Sequence, residues 1–248
     1  MESALLLYVV AGAAIAGFVQ GLSGFAFGMV AMAVWAWSLA PQVAAPLVVG
    51  CSFLGQLLSL GSVRRSLALA TVLPFVLGGL LGVPLGVALL PLIDQTVFKA
   101  TIGVFLVLWC SLMLAVRELP RVSSGGALAD GAVGMIGGVM GGLGGLSGPA
   151  PTLWCTLRGL ERDVQRAIFQ TFNLAMHTLT LASYATSGIL TGETLRLVAV
   201  AAPAMLVPVL LGARLYSRLS GAGFRRLLLS LLLLSGLGLL ASVLRRLV

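Results

Sequence analysis

Gly17-Phe18-Val19-Gln20-Gly21-Leu22-Ser23-Gly24-Phe25-Ala26-Phe27-Gly28 and Gly137-Gly138-Val139-Met140-Gly141-Gly142-Leu143-Gly144-Gly145-Leu146-Ser147-Gly148-Pro149 each open one half of the chain. A membrane helix is ordinarily rich in leucine, but these stretches are rich in glycine and serine. Glycine-interrupted apolar segments at corresponding places in two halves point to the binding site of a transporter. The first apolar segment, residues 4–39, would be ~54 Å long as one straight helix. The hydrocarbon core is only ~30 Å thick. The segment must therefore break, and Gly21–Gly24 is where the backbone is least restricted.

Outside the two motifs the composition settles the class. Of 248 residues, 59% are hydrophobic and 9% are charged, with a mean hydropathy of +1.11. Apolar runs of span length follow one another with short loops, at about 43–62, 67–91, 97–116, 164–187, 195–215 and 224–244. The expected fold is an all-α polytopic membrane protein with no soluble domain. The N-terminus, Met1-Glu2-Ser3-Ala4, lacks the basic region of a signal peptide, so the first apolar segment is expected to stay. Cys51, Cys110 and Cys155 have no metal-ligand spacing and read as buried thiols.

The net charge is +8, from 15 Lys+Arg against 7 Asp+Glu. In a soluble domain that balance would point to nucleic acid. Here the basic residues stand singly or in pairs at span ends, where they set topology and touch anionic lipids. The partners expected are a small anionic substrate and membrane lipids, with no nucleic acid; whether the chain forms a homo-oligomer is left open.

The halves repeat one plan. Gly86-Val87-Ala88-Leu89 and Phe98-Lys99 match Gly212-Ala213-Arg214-Leu215 and Phe224-Arg225 at an offset of 126, and the glycine motifs match at 121. The first membrane repeat is placed at 1–118, the linker at 119–125 and the second repeat at 126–248. If each glycine-rich segment enters and returns, the halves are inverted. With Arg64 and Arg65 cytoplasmic, Arg117, Arg121, Arg158, Arg162, Arg166, Arg214, Arg218, Arg225 and Arg226 join them. Only Lys99, Arg196, Arg245 and Arg246 then fall outside, a division of 11 to 4. If each segment crosses once, the same anchoring divides the 15 as 7 to 8. The positive-inside rule favours the hairpin. The expectation is two inverted repeats, each a glycine-broken helical hairpin plus three transmembrane helices, with both termini non-cytoplasmic. Its arms would each hold about 16 residues, ~24 Å. Two short crossings and a deep re-entrant hairpin have the same parity and stay open.

Broken backbone survives in hydrocarbon only where protein buries it or it lines a cavity. Half-helices that start at such breaks aim N–H groups and a positive dipole end at a ligand, which suits an anion. Ser23, Ser147 and Thr152 add hydroxyls. The competing reading of the glycines is close helix packing. No acidic residue lies in mid-span, which argues against a cation substrate and fits an anion. Gln170, Asn173 and His177 fall on one helical face, with Thr180 continuing it. Asn173 and His177 are candidate ligands, against the simpler role of bonding helix to helix. Gln20 and Gln56 are weaker first-half candidates. Pro74, Pro84, Pro203 and Pro208 are expected kinks. Trp35, Trp37 and Trp154 read as interface anchors.

The first motif resembles the opening motif of the TauE/SafE family of sulfite and organosulfonate exporters. The second motif, followed by Leu157-Arg158-Gly159-Leu160 and Asp163-Val164-Gln165-Arg166-Ala167, resembles that family's second-half signature. The resemblance implies secondary export of small sulfur-containing anions, such as sulfite, sulfoacetate or related sulfonates, across the bacterial inner membrane. It also implies a site between the motifs, carried here to Gly21, Ser23, Gly24, Phe25, Gly144, Gly145, Ser147 and Gly148. Asn173 and His177 join from the polar face. Pro149-Ala150-Pro151 departs from the family pattern. No cofactor, no metal and no catalytic residue is expected. A membrane enzyme would need a nucleophile–base pair or a metal cluster, and an ATP-driven pump a Walker motif. An accessory membrane subunit, or a carrier of another small organic anion, is the alternative.

Overall fold

Glycine at every fourth position leaves one side of a helix bare, and bare sides pack in this protein. The computed structural model describes residues 2–23, 26–59, 69–115, 121–122, 124–219 and 222–247, and these are helical with short connections. The helices are α1 (Glu2–Ser23), α2 (Phe27–Trp35), α3 (Pro41–Ser59), α4 (Leu69–Leu89), α5 (Gln95–Ala115), α6 (Gly126–Gly144), α7 (Pro149–Leu157), α8 (Arg162–Thr186), α9 (Gly192–Leu219) and α10 (Ala222–Leu247). A 3-10 turn, Leu90–Leu92, follows α4. Seven of them, α1, α3, α4, α5, α6, α9 and α10, are long and apolar enough to span a bilayer. α8 has 25 residues but carries the polar face, and it lies inside the bundle.

Each glycine-rich segment forms one long and one short helix, of 22 and 9 residues in the first half and 19 and 9 in the second. The expectation of near-equal arms is corrected. The helix runs straight through Gly21 because α9 supports it there, and it ends only at Ser23. α2 doubles back along α1. Its Trp35 indole fills the space beside Gly12, and the Tyr8 hydroxyl donates to the Val34 carbonyl. A nine-residue helix reaches ~13 Å, under half of the ~30 Å core.

The tightest packing joins one half to the other. Positions rise together along α1 and α9, where Gly17 meets Met205 and Gly21 meets Val209. They rise together along α4 and α6, where Gly78, Gly82 and Gly86 meet Gly131, Met135 and Val139. These pairs therefore run in the same direction. α5 and α10 run oppositely, with Gly103 against Leu240 and Leu106 against Gly236. α3 and α8 pack on each other. Close backbone approach through small residues is how helices associate where no hydrophobic effect operates between them.

The four prolines expected at kinks lie inside helices, Pro74 and Pro84 in α4 and Pro203 and Pro208 in α9. One tryptophan differs from expectation. Trp35 is fully buried, edge-on to Phe27 at 6.1 Å, and is not an interface anchor. Trp37 is partly exposed, and its Nε1 donates to Ser235 Oγ at 3.3 Å. The three cysteines are buried free thiols. Arg64, Arg65 and Arg117 lie outside the described residues.

A Cβ on Gly82 would strike the Met135 carbonyl, and one on Gly21 the Val209 carbonyl, whereas one on Gly192 meets nothing within 4 Å. Gly82→Ala and Gly21→Ala are each expected to cost about 1–3 kcal/mol. Gly192→Ala should change stability by no more than about 0.5 kcal/mol. Thermal unfolding in detergent measures all three.

Candidate functional site

The second break is built on left-handed backbone. Gly145 has φ +69° and terminates α6, its N–H donating to the Gly141 carbonyl at 2.7 Å. The Leu146 N–H reaches back to the Met140 carbonyl at 3.2 Å. This pairing satisfies helix-end carbonyls that hydrocarbon could not. Ser147 follows, fully buried, and its hydroxyl donates to Asn173 Oδ1 on α8 at 2.8 Å. Gly137 and Gly141 on α6 leave room for it: a Cβ on Gly141 would sit 3.1 Å from that of Ser147. Gly148 caps α7, its carbonyl accepting from the Thr152 N–H at 3.0 Å and Oγ1 at 2.7 Å.

Prolines change the anion argument at this helix start. Pro149 and Pro151 lack N–H groups, and the Thr152 N–H is already bonded to Gly148. Few free backbone donors therefore remain at the start of α7, and side chains supply the exposed dipoles instead.

The first break is closed by Ser23. Its hydroxyl donates to the Val19 carbonyl at 2.8 Å and accepts from the Ala26 N–H at 3.1 Å. Ser23 therefore ties the end of α1 to the chain entering α2. Gly24 and Phe25, both expected in the site, lie outside the described residues. Gly21 faces the α9 backbone, so the packing role accounts for it. Gly144 is buried at the end of α6, facing Met32 of α2. The breaks meet where Gly28 on α2 faces the Gly145 carbonyl, and Val48 and Val49 of α3 close over Gly145.

α8 passes beside this junction with its polar face inward. Gln170, Asn173, His177 and Thr180 are all buried, at 3% exposure or less. Asn173 Oδ1 is held by Ser147, which leaves its Nδ2 as a donor without a protein partner. Both polar atoms of the Gln170 amide, His177 Nδ1 and Thr180 Oγ1 are likewise unpartnered. Buried polar groups are nearly always bonded, and one left without a protein partner calls for water, an ion or a ligand. Of the expected residues, Gly145, Ser147 and Gly148 lie on the second break, Ser147 is bonded to Asn173, and His177 follows one turn along the same face of α8.

Tyr184 was not anticipated. It is fully buried and donates to the Gly142 carbonyl at 2.6 Å. Its spacing from His177 continues the α8 stripe, so the signal was present; it was masked because tyrosine reads as apolar in a span.

A second polar feature lies near the start of α6. Asp130 accepts from Trp154 Nε1 at 2.6 Å and from Arg158 Nη1 at 3.0 Å. The group borders a cavity of about 280 Å³ that also touches Pro74 and Phe75 of α4. Asp130→Ala would strand a half-buried guanidinium and an indole N–H. A loss of about 2 kcal/mol is expected, read as a fall in the melting temperature of the purified protein.

Against known families, the chain matches Sulfite exporter TauE/SafE over residues 9–239. No curated protein and no solved structure matches it.

Proposed function

The chain belongs to the TauE/SafE family, a family of membrane transporters and not of enzymes, and we propose that it exports small sulfur-containing anions. Sulfite, sulfoacetate and other organosulfonates are the substrates in view, carried across the bacterial inner membrane by alternating access of two inverted halves. One observation carries the choice of an anion. Ser147, on the break of α6, turns the Asn173 amide so that its N–H₂ is the group left to bind. That donor sits where hydrocarbon offers no acceptor, within reach of the α8 residues His177 and Gln170 on the same face.

The inversion is supported by helix directions. Both an inverted and a parallel arrangement of the halves allow α1 beside α9 and α4 beside α6 in the same sense. They differ at α5 and α10, which a parallel repeat would align and an inverted repeat opposes. The contacts of Gly103 with Leu240 and Leu106 with Gly236 favour inversion. The 11-to-4 division of basic residues supports placing the α5–α6 connection in the cytoplasm. Outward movement of an anion then follows the membrane potential, worth ~2.3 kcal/mol per charge per 100 mV.

Thermal unfolding of the purified protein tests the substrate class, with sulfite, sulfate, thiosulfate, taurine, sulfoacetate, acetate and chloride as probes. A sulfur-containing anion at about 100 times its Kd is expected to add ~2.7 kcal/mol of stability. Asn173→Leu and Ser147→Ala should lose that gain. If folded wild-type protein responds to none of the seven, the anion-carrier reading is wrong.

Topology has a separate test. Thr96 lies at the start of α5 and Thr191 just before α9. Cysteines placed at both should react with an impermeant maleimide from the same, periplasmic, side. Labelling from opposite sides would mean parallel halves.

A further inference from the structure

We infer that Ser52 and Gln56 on α3 form a second wall of the site, paired with Asn173 and His177 on α8, and that the completed site takes a singly charged oxyanion. The inference rests on the anion-carrier reading above and extends it to the first half of the chain.

The pairing comes from the repeat. α3 begins at Pro41 and α8 at Arg162, the same offset of 121 that relates the glycine motifs. That offset sets Ser52 on Asn173 and Gln56 on His177. Both pairs have i, i+4 spacing, one face of a helix. Two helices that are counterparts in a duplicated unit, and that pack on each other, thus carry buried polar residues at matching positions.

The first-half pair is as buried as the second, with Ser52 and Gln56 each 2% exposed. Ser52 Oγ has no hydrogen-bond partner, although a serine inside a helix can ordinarily bond back to its own backbone. An unsatisfied buried hydroxyl destabilises the fold, a penalty that alanine at the same place would not carry. Packing alone gives no reason for serine. A neighbour also attends this turn. Gln20 of α1, 1% exposed, donates Nε2–H to the Ser52 carbonyl at 3.3 Å, and its amide lies against Gly55. Gln20 is therefore a positioning residue that holds α3 at this turn. The same helix reaches the second break: Val48, one turn before Ser52, lies against Gly145, two residues from the Ser147 that holds Asn173.

The ligand class follows from the charge of the two walls. Serine, glutamine and asparagine offer neutral dipoles. Among the described residues the buried charged side chains are Lys99 and Asp130. Both are engaged away from the walls, by the Trp37 carbonyl and by Arg158. On the α8 stripe the nearest cation is Arg166, half-buried and one turn before Gln170, near the start of the helix. Desolvation grows with the square of charge, so a dianion costs roughly four times as much to bring in as a monoanion. Neutral donors can offset one charge at close range far more readily than two, which keeps hydrogensulfite and simple alkanesulfonates among the substrates in view and removes sulfoacetate, doubly charged at neutral pH.

The test uses Ser52→Ala and Gln56→Met in the full chain, with Asn173→Leu as reference. Methanesulfonate is the monoanion probe and sulfate the dianion. Unfolding of each variant is measured without anion, and affinity from the anion-dependent shift. Ser52→Ala should melt at or above the wild-type temperature, because it removes an unsatisfied hydroxyl. Its affinity for methanesulfonate should fall at least about tenfold, near 1.4 kcal/mol, and Gln56→Met should lose affinity likewise. Sulfate should bind the wild type much more weakly than methanesulfonate. The second wall is overturned if Asn173→Leu loses methanesulfonate while Ser52→Ala and Gln56→Met keep it. A lower melting temperature with intact affinity would make Ser52 structural and also overturn it. Equal binding of sulfate overturns the monoanion class. If no anion stabilises the wild type, the failure lies with the carrier reading itself.

Discussion

A hydrocarbon core offers nothing for a broken helix to bond to, so every polar atom of residues 145–148 needs a partner inside the protein. Most of this structure follows from meeting that demand. Gly145 turns the chain so that two N–H groups return to the α6 carbonyls. Ser147 takes its partner from α8 and Gly148 from the first turn of α7. At the other break, Ser23 bonds in both directions across the interruption. The breaks are buried by contact with each other, Gly28 lying on the Gly145 carbonyl.

Holding two breaks together requires helices that approach closely, and glycine provides that approach. The α4–α6 pair packs backbone on backbone along three successive turns, and α1–α9 does so along two. In each pair one member comes from each half. Neither half would bury its own glycine stripe, which makes the two halves interdependent.

Unmatched polarity collects on α3 and α8, which pack on each other. Ser52, Gln170, Asn173, His177 and Thr180 carry buried polar atoms with no protein partner. Each costs stability in a chain whose helices are otherwise held by apolar contact. Such a cost is tolerated at sites that bind, because the ligand supplies the missing bond. Glycine breaks place backbone turns beside these helices, and the serine on one of them orients the asparagine that faces it.

The amino-acid sequence by itself determined the class, the approximate places of α3, α4, α5, α9 and α10 among the seven helices of span length, and the polar face of α8. These properties depend on hydropathy and helical period, which are local or read directly along the chain. Only the tertiary structure decided which glycines break a helix and which pack it. Gly21 and Gly145 look alike in sequence, but Gly21 has α9 against it and stays helical, while Gly145 takes φ +69°. The unequal arms of the hairpins, the burial of Trp35 and the pairing of Ser147 with Asn173 were decided there too. Each depends on what a distant segment places beside the residue, and a periodic pattern carries no record of its partner.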